Sequence, residues 1–425
     1  LVDIRPFRAI RYTPKAGNLE NLITQPYDKI DVAMQKEYYS KSTYNFCRLI
    51  LPLEANRYEA ANQRIEQWLN DGALIKETEP ALFLSRQEFN LNGVRQCRTG
   101  LITALRLYPY SENMVFPHEG TYKSPKADRL NMLRTVQKDL EPVFLMYQDP
   151  ESQTINIFEE IAKTKPFAQV TDSLSVKHTL WKITEPKTIQ KLQKLLASKT
   201  MVINDGHHRY ESAVAYRDEM RQKTGCATEC AFNFHMSYLV PVQDEGLIVL
   251  PTHRLLKNYR LTEDLVHAFK FFFDVAQVEP TVEALEAFLR RHRNEHTFGV
   301  YDGTKAYGLL LKHDKAVYDF VNANVSKETK IFDVVILRDI VFKFILKTGE
   351  LNMDDTIIYV RWAKDAVDKV KNGEASIAFL LNPISAKTVA EIAVQHELLP
   401  EKSTDFYPKP VSGMLMMDIS DEEKA

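Results

Sequence analysis

Apolar residues fall at helical spacing between residues 55 and 69, where Tyr58, Ala61, Ile65, Trp68 and Leu69 share one face and Asn70-Asp71-Gly72 supplies a stop. Beyond Pro80, ALFLSRQEFN and VRQCRTGLITALRLY flank Leu91-Asn92-Gly93. Asn-Gly tolerates the positive φ of a tight turn, so these runs predict a β-hairpin. Ser124-Pro125 precedes ADRLNMLRTVQKDL and predicts a helix that starts there and stops before Pro142. PVFLMYQD and TLWKIT read as strands with a helix, INIFEEIAKT, between them. A helix over 187–198 and a short strand at Met201-Val202-Ile203 follow.

From about residue 256 the pattern becomes LTEDLVHAFK (helix), FFFDVAQVE (strand), TVEALEAFLRRHR (helix), and the strands HTFGVYD and KAYGLLLKH. IFDVVILRDIVFKFILK then predicts one long apolar helix. TIIYVR and EASIAFLLN alternate with two more helices before an extended tail. No repeat or low-complexity segment interrupts the order, and a domain junction is expected near residues 255–262.

Length and charge narrow the classes. At 425 residues the chain exceeds one ordinary core, and 44% apolar with 26% charged residues describes a globular protein. Fifty-five basic against 57 acidic side chains leave a formal charge of -2, so no global field draws it to nucleic acid or an anionic membrane. Apolar runs such as Ile377–Leu381 are far shorter than the roughly 18–20 residues that cross a bilayer. LVDIRPFRAIRY lacks a secretory h-region, and a cytoplasmic address is expected. Cys47, Cys97, Cys226 and Cys230 are too sparse for a disulfide scaffold and read as reduced thiols. A zinc site at Cys226, Cys230 and His235 lacks the usual second close pair.

The densest chemistry lies in VINDGHHRYESA, residues 202–213, where a strand runs into a helix through Asp205-Gly206. A helix start offers free N–H groups and partial positive charge, and Gly206 lets a ligand approach the backbone. Arg209 adds a donor fork, and His207 and His208 add further donors, so the site suits a phosphate. Asp205 would repel that anion unless it carries magnesium, takes a proton or caps the helix. The alternative is structural: Asp205 as N-cap and the histidines as ordinary polar residues. Adjacent histidines on a helix diverge and rarely share a metal, unlike an i, i+4 pair.

A second cluster, PHEGTYKSPKADR (117–129), places Lys123, Lys126 and Arg129 at another helix start, with Glu119 nearby. Cations there favour an anion that shares the place. Thr24 to Asp28 and Ser42 to Asn45 are polar, turn-rich pieces that read as loops, and Leu250 to Arg254 ends a strand with a basic pair. Residues 400–409 group a lysine with hydroxyls but follow no Gly-rich loop, and no GxGxxG or Walker signature occurs.

RPFRAIRY, QPYDKI, STYNFCRL, PHEGTYKSPKADRL, NDGHHRYESAVAYRDE, LPTHR and EKSTDFYPKPVSG together resemble the bacterial and archaeal family called domain of unknown function 1015. The central block is also similar to the ParB/sulfiredoxin superfamily, in which a Gly-x-His-Arg element holds nucleotide phosphates. His207 stands where sulfiredoxins carry their reactive Cys, which argues against sulfinic-acid repair, and the near-neutral charge supports no DNA surface of the ParB kind.

Free-serine kinases of that superfamily carry an Asp-Gly-His-His-Arg string like Asp205 to Arg209. The resemblance implies an α+β fold with mixed sheets: an N-terminal segment at 1–105, a ParB/sulfiredoxin-like nucleotide-binding unit at 106–255, and a C-terminal α/β region at 256–425. It implies phosphoryl transfer from ATP or ADP, with magnesium, to a small hydroxyl metabolite, free L-serine being the leading acceptor. A nucleotide-binding regulatory module or slow NTPase is the alternative. Gly206, His208, Arg209, Lys123, Lys126 and Arg129 would hold the nucleotide, with His207 beside them as a catalytic residue. Asp205 would serve the metal or the acceptor, with Glu119 and Asp28 as further candidates for the base. Neither nucleic acid nor membrane is an expected partner.

Overall fold

The 13-residue strand Val94–Arg106 is the spine of the N-terminal unit. It pairs with Leu82–Leu91 through a two-residue turn, Leu91 facing Val94, with Asn92 at φ 50° and Gly93 at φ 79°. Both turn residues are left-handed, as the Asn-Gly signal requires. The computed structural model describes residues 1–120, 123–312, 332–347, 356–400 and 402–424, with only the backbone described at 123–125.

Around that hairpin lies a nine-stranded sheet. Its path runs Val115–Phe116, Met201–Asp205, Val143–Tyr147, Phe234–Pro241, Val94–Arg106, Leu82–Leu91, Lys177–Ile183 and Ala168–Thr171, with Ile4–Arg5 on the Val94 strand. Val143–Tyr147 and Phe234–Pro241 are buried along their whole length, the continuous apolar pattern of strands covered on both faces. Met201–Asp205 runs parallel to Val115–Phe116 and antiparallel to Val143–Tyr147, so the sheet is mixed, as expected. A four-stranded sheet orders Leu74–Lys76, Ala9–Tyr12, Met416–Asp418 and Lys138–Asp139. Helix Arg57–Asn70 packs Ala61, Ile65 and Trp68 into the core beside it.

Contacts divide the chain into two compact units, Leu1–Ile248 with Pro408–Ala425, and Val249–Tyr407. The second holds a six-stranded antiparallel sheet, from Phe273–Val278 at one edge to Ile357–Val360 at the other. Its apolar core gathers Phe269, Phe298, Ile340 and Phe379.

Three expectations are corrected. The helix after Ser124-Pro125 spans Lys123–Val136, and Gln137 at φ 52° ends it so that Lys138–Asp139 can join the small sheet. The long apolar helix is α-helical only at Asp333–Ile336 and continues as a π-helix over Leu337–Ile345, while Ile331 lies outside the described residues. Cys226 and Cys230 form a disulfide with Cα atoms 6.2 Å apart. The chain turns back at Gly225, φ 72°, which brings the two cysteines within bonding reach.

Candidate functional site

Parallel pairing of Met201 with Val115 and Val202 with Phe116 sends two loops out of the same end of the sheet. One carries Pro117 to Gly120, the other Asp205 and Gly206. The two motifs that lie apart in sequence therefore meet. His118 Nδ1 contacts the Ile203 carbonyl at 2.6 Å, and the His118 backbone N–H donates to His207 Nε2 at 3.3 Å. The two rings meet edge to face, centroids 4.8 Å apart.

An acceptor Nε2 puts the His207 proton on Nδ1. Burial, then the neighbouring His118, keeps the His207 imidazole well below its ordinary pKa, and burial lowers His118 as well. Burial thus favours the neutral form of both rings. Glu119 stands beside this pair, Oε1 3.8 Å from His118 Nε2.

The helix His207–Thr224 starts at Gly206, whose φ of 92° is left-handed. A Cβ there would sit 3.0 Å from Cζ, Nε and Nη2 of Arg209, so only glycine lets that guanidinium fold back over the helix start. Arg209 is 8% exposed; Nη2 donates to Asp205 Oδ2 at 2.8 Å and Nη1 to the Pro142 carbonyl. Its Nε has no hydrogen-bond partner. Burial disfavours this cation, but Glu141, Asp205 and Asp28 together raise its pKa. Arg129, Asp139, Glu141, Arg209 and His235 line a small, open recess.

Asp205 accepts from a second cation, Lys409 Nζ at 2.6 Å. Burial pushes this carboxyl up, and Lys409 and Arg209 outweigh it and hold it well below the usual carboxylate range. Asp205 makes no N-cap hydrogen bond. Its role changes accordingly. A carboxylate so weakly basic is unsuited to deprotonating an acceptor hydroxyl. With each oxygen already on a cation it does not fit a magnesium ligand either, and among the described residues no group of three or more His, Cys, Asp or Glu side chains is arranged to hold a metal ion. Asp205 fastens Arg209 and Lys409 to the helix start.

The second cationic cluster adjoins the first because helix Lys123–Val136 packs on the site helix, with Ser212 Oγ donating to the Lys126 carbonyl at 2.9 Å. Lys126 Nζ reaches Glu211 at 2.7 Å. Arg129, which lines the same recess as Arg209, is buried, bonded to Asp128, and stacked 4.1 Å over the Tyr27 ring. The Lys123 side chain lies outside the described residues. His208 is half-buried on the first turn. Asp28 is exposed on the turn Tyr27–Lys29, which is tied in by the Tyr27 N–H to Glu141 Oε1 at 3.0 Å.

Sequence reasoning passed over Lys409, Glu141 and Asn204. Glu141 is buried and also accepts from Ser412 Oγ at 2.7 Å. Asn204 is buried at the register shift between Ile203 and Asp205, and neither polar atom of its amide has a partner. The lysine in the PKP of the tail and the Asn of NDGHHR were in view, but nothing local says what either meets.

These features define a mixed α+β protein in which two charged motifs meet at the start of one helix. Its sequence matches the family described as Protein of unknown function (DUF1015) over residues 4–335, and the chain belongs to that family. No curated protein matches it. Among solved structures it is similar to a free serine kinase in complex with AMP, at 15% identity and a TM-score of 0.35, over 73% of this chain and 90% of that one. It is also similar to a conserved hypothetical protein from Pyrococcus furiosus, at 15% identity and TM-score 0.33, over 73% and 93%. A third is SbnI with a C-terminal truncation from Staphylococcus aureus, at 10% identity and TM-score 0.31, over 72% and 85%.

Proposed function

We propose that the chain binds a nucleotide at the start of helix His207–Thr224 and transfers a phosphoryl group between it and a small hydroxyl metabolite, with free L-serine the leading acceptor. TM-scores of 0.31 to 0.35 are too low to transfer a function, so this chain's own residues carry the reading. The observation that carries it is Arg209: a guanidinium more than nine-tenths buried, folded over Gly206 with Nε unpartnered, at the positive end of an 18-residue helix. A phosphate oxygen supplies the missing acceptor and suits the helix dipole.

Phosphoryl transfer demands positioning and charge neutralisation more than covalent chemistry. Arg209 and the first-turn N–H groups would hold the phosphates, with His208 and the Nδ1–H of His207 as further donors. Lys126 would reach them on release from Glu211. A nucleotide arrives with magnesium on its own phosphate oxygens, as part of the substrate. The hydroxyl needs a carboxylate other than Asp205, which is held between two cations, and Glu119 and Asp28 are the two candidates.

The test is direct. Purified protein with ATP or ADP, magnesium and L-serine should yield phosphoserine by mass spectrometry, and Arg209→Met should remove it. Absence of nucleotide binding at millimolar concentration overturns the reading. Binding without phosphoserine formation would refute serine as the acceptor, and binding without turnover of any hydroxy amino acid would leave a nucleotide-binding regulatory module and refute the kinase.

A further inference from the structure

We propose that Lys409 is a phosphate-contacting residue of this site, and that Gln87 and Arg98 are positioning residues that hold it there. The inference rests on the nucleotide reading above and adds a ligand that arrives from the far end of the sequence.

Lys409 is 7% exposed. Burying an ammonium is costly unless it is paired, so its placement answers a specific need. Its partner is Asp205 Oδ1, yet Asp205 already serves Arg209 through Oδ2. Two buried cations therefore share one carboxylate beside the positive end of a helix, where cations are unfavourable. Arg209 keeps a donor with no acceptor. Glu141 and Asp28 act on Arg209 from the side of the Tyr27 turn. A phosphate lodged at the helix start would meet Lys409 and Arg209 together, with Asp205 keeping both oriented.

The backbone that carries Lys409 is clamped from the central hairpin. Arg98, wholly buried on Val94–Arg106, donates from Nη2 to the Pro408 carbonyl. Gln87, on the paired strand Leu82–Leu91, donates from Nε2 to the Lys409 carbonyl at 3.1 Å and accepts from Arg98 Nε at 3.1 Å. The Arg98 guanidinium is wedged 4.6 Å over the Phe144 ring. One interlocked Arg–Gln pair thus fixes two consecutive carbonyls. Two fixed peptide units leave the lysine only its side-chain torsions. An arginine sealed in a sheet solely for stability would be a poor choice, since burial of a charge is often no better than apolar packing.

The experiment compares ADP with adenosine by titration calorimetry on the full chain, because only a phosphate contact changes their ratio. Wild type should bind ADP more tightly than adenosine. Lys409→Met should lower ADP affinity on the order of tenfold to a hundredfold, the range for a lost charge-assisted hydrogen bond, and leave adenosine unchanged. Lys409→Arg, which keeps the charge, should recover part of the ratio. Gln87→Glu keeps an acceptor for Arg98 but loses the donor to the Lys409 carbonyl, and should shrink the ratio in the same direction. If Lys409→Met does not fold, Lys409→Arg and Gln87→Glu decide the matter. Wild-type binding with an unchanged ADP-to-adenosine ratio in the folded variants overturns the role of Lys409. Failure of wild type to bind ADP at all overturns the nucleotide reading instead.

Discussion

Asp205 illustrates how burial and pairing set one residue's work. Replacing it with Ala leaves Lys409 and Arg209 as buried cations without their shared carboxylate, and should cost about 3–5 kcal/mol in denaturant-measured stability. Its folded pKa lies below the unfolded value of about 3.9, so the contribution is complete above that pH and is lost as pH falls further toward the folded value. The stability gap between wild type and Asp205→Ala should therefore stay flat from pH 7 to about 4 and narrow below; a gap that closes already at pH 6 would refute it. His253 carries the opposite charge type with the same slope. Burial pushes its pKa down to about 4, and its neutral Nδ1 accepts the Leu381 N–H at 3.2 Å. The unfolded chain, with a histidine pKa of about 6.5, binds the proton first. Stability should fall as pH drops from about 6.5 to about 4, by up to ~1.4 kcal/mol per unit, and His253→Gln should remove that part of the slope in thermal melts.

At the scale of elements, the junction of strand Met201–Asp205 with helix His207–Thr224 depends on one left-handed residue. Gly206→Ala both strains φ at 92° and drives a Cβ against the Arg209 guanidinium. We expect a loss of about 1–2 kcal/mol and of nucleotide affinity; an unchanged denaturation midpoint would show that the turn relaxes freely. The far end of the same helix is stapled by Cys226 and Cys230, four positions apart. A disulfide around so short a loop constrains the unfolded chain modestly, so reduction should cost only about 2 kcal/mol, measurable as the difference between denaturation curves with and without dithiothreitol. The strand-loop-helix unit was legible because an apolar run, an Asp-Gly and a helical period follow one another locally. The disulfide was not, since cysteine count alone says nothing of where a loop turns back.

For the whole molecule, the decisive fact is the return of residues 408–425 to the N-terminal unit. Met416–Asp418 becomes an interior strand of the four-stranded sheet, between Ala9–Tyr12 and Lys138–Asp139, and Glu423 pairs with Arg8 and Lys76. A chain ending at residue 407 loses that strand and Lys409 together. It should lose near-UV circular dichroism and amide protection across Ala9–Tyr12, and a truncated chain with wild-type protection would refute the account. By itself the sequence determined most of the helical and strand segments, the Asn-Gly hairpin and the strand-loop-helix at Asp205-Gly206, because each depends on side chains within a few turns of one another. Tertiary structure alone decided that Asp205 is pinned by a lysine 204 positions away, that His118 meets His207, and that Arg129 spends its charge on Asp128 and Tyr27. Apart from the adjacent Asp128, these partners lie far away in the sequence, and no local pattern in a chain specifies which distant partner a buried polar group will meet.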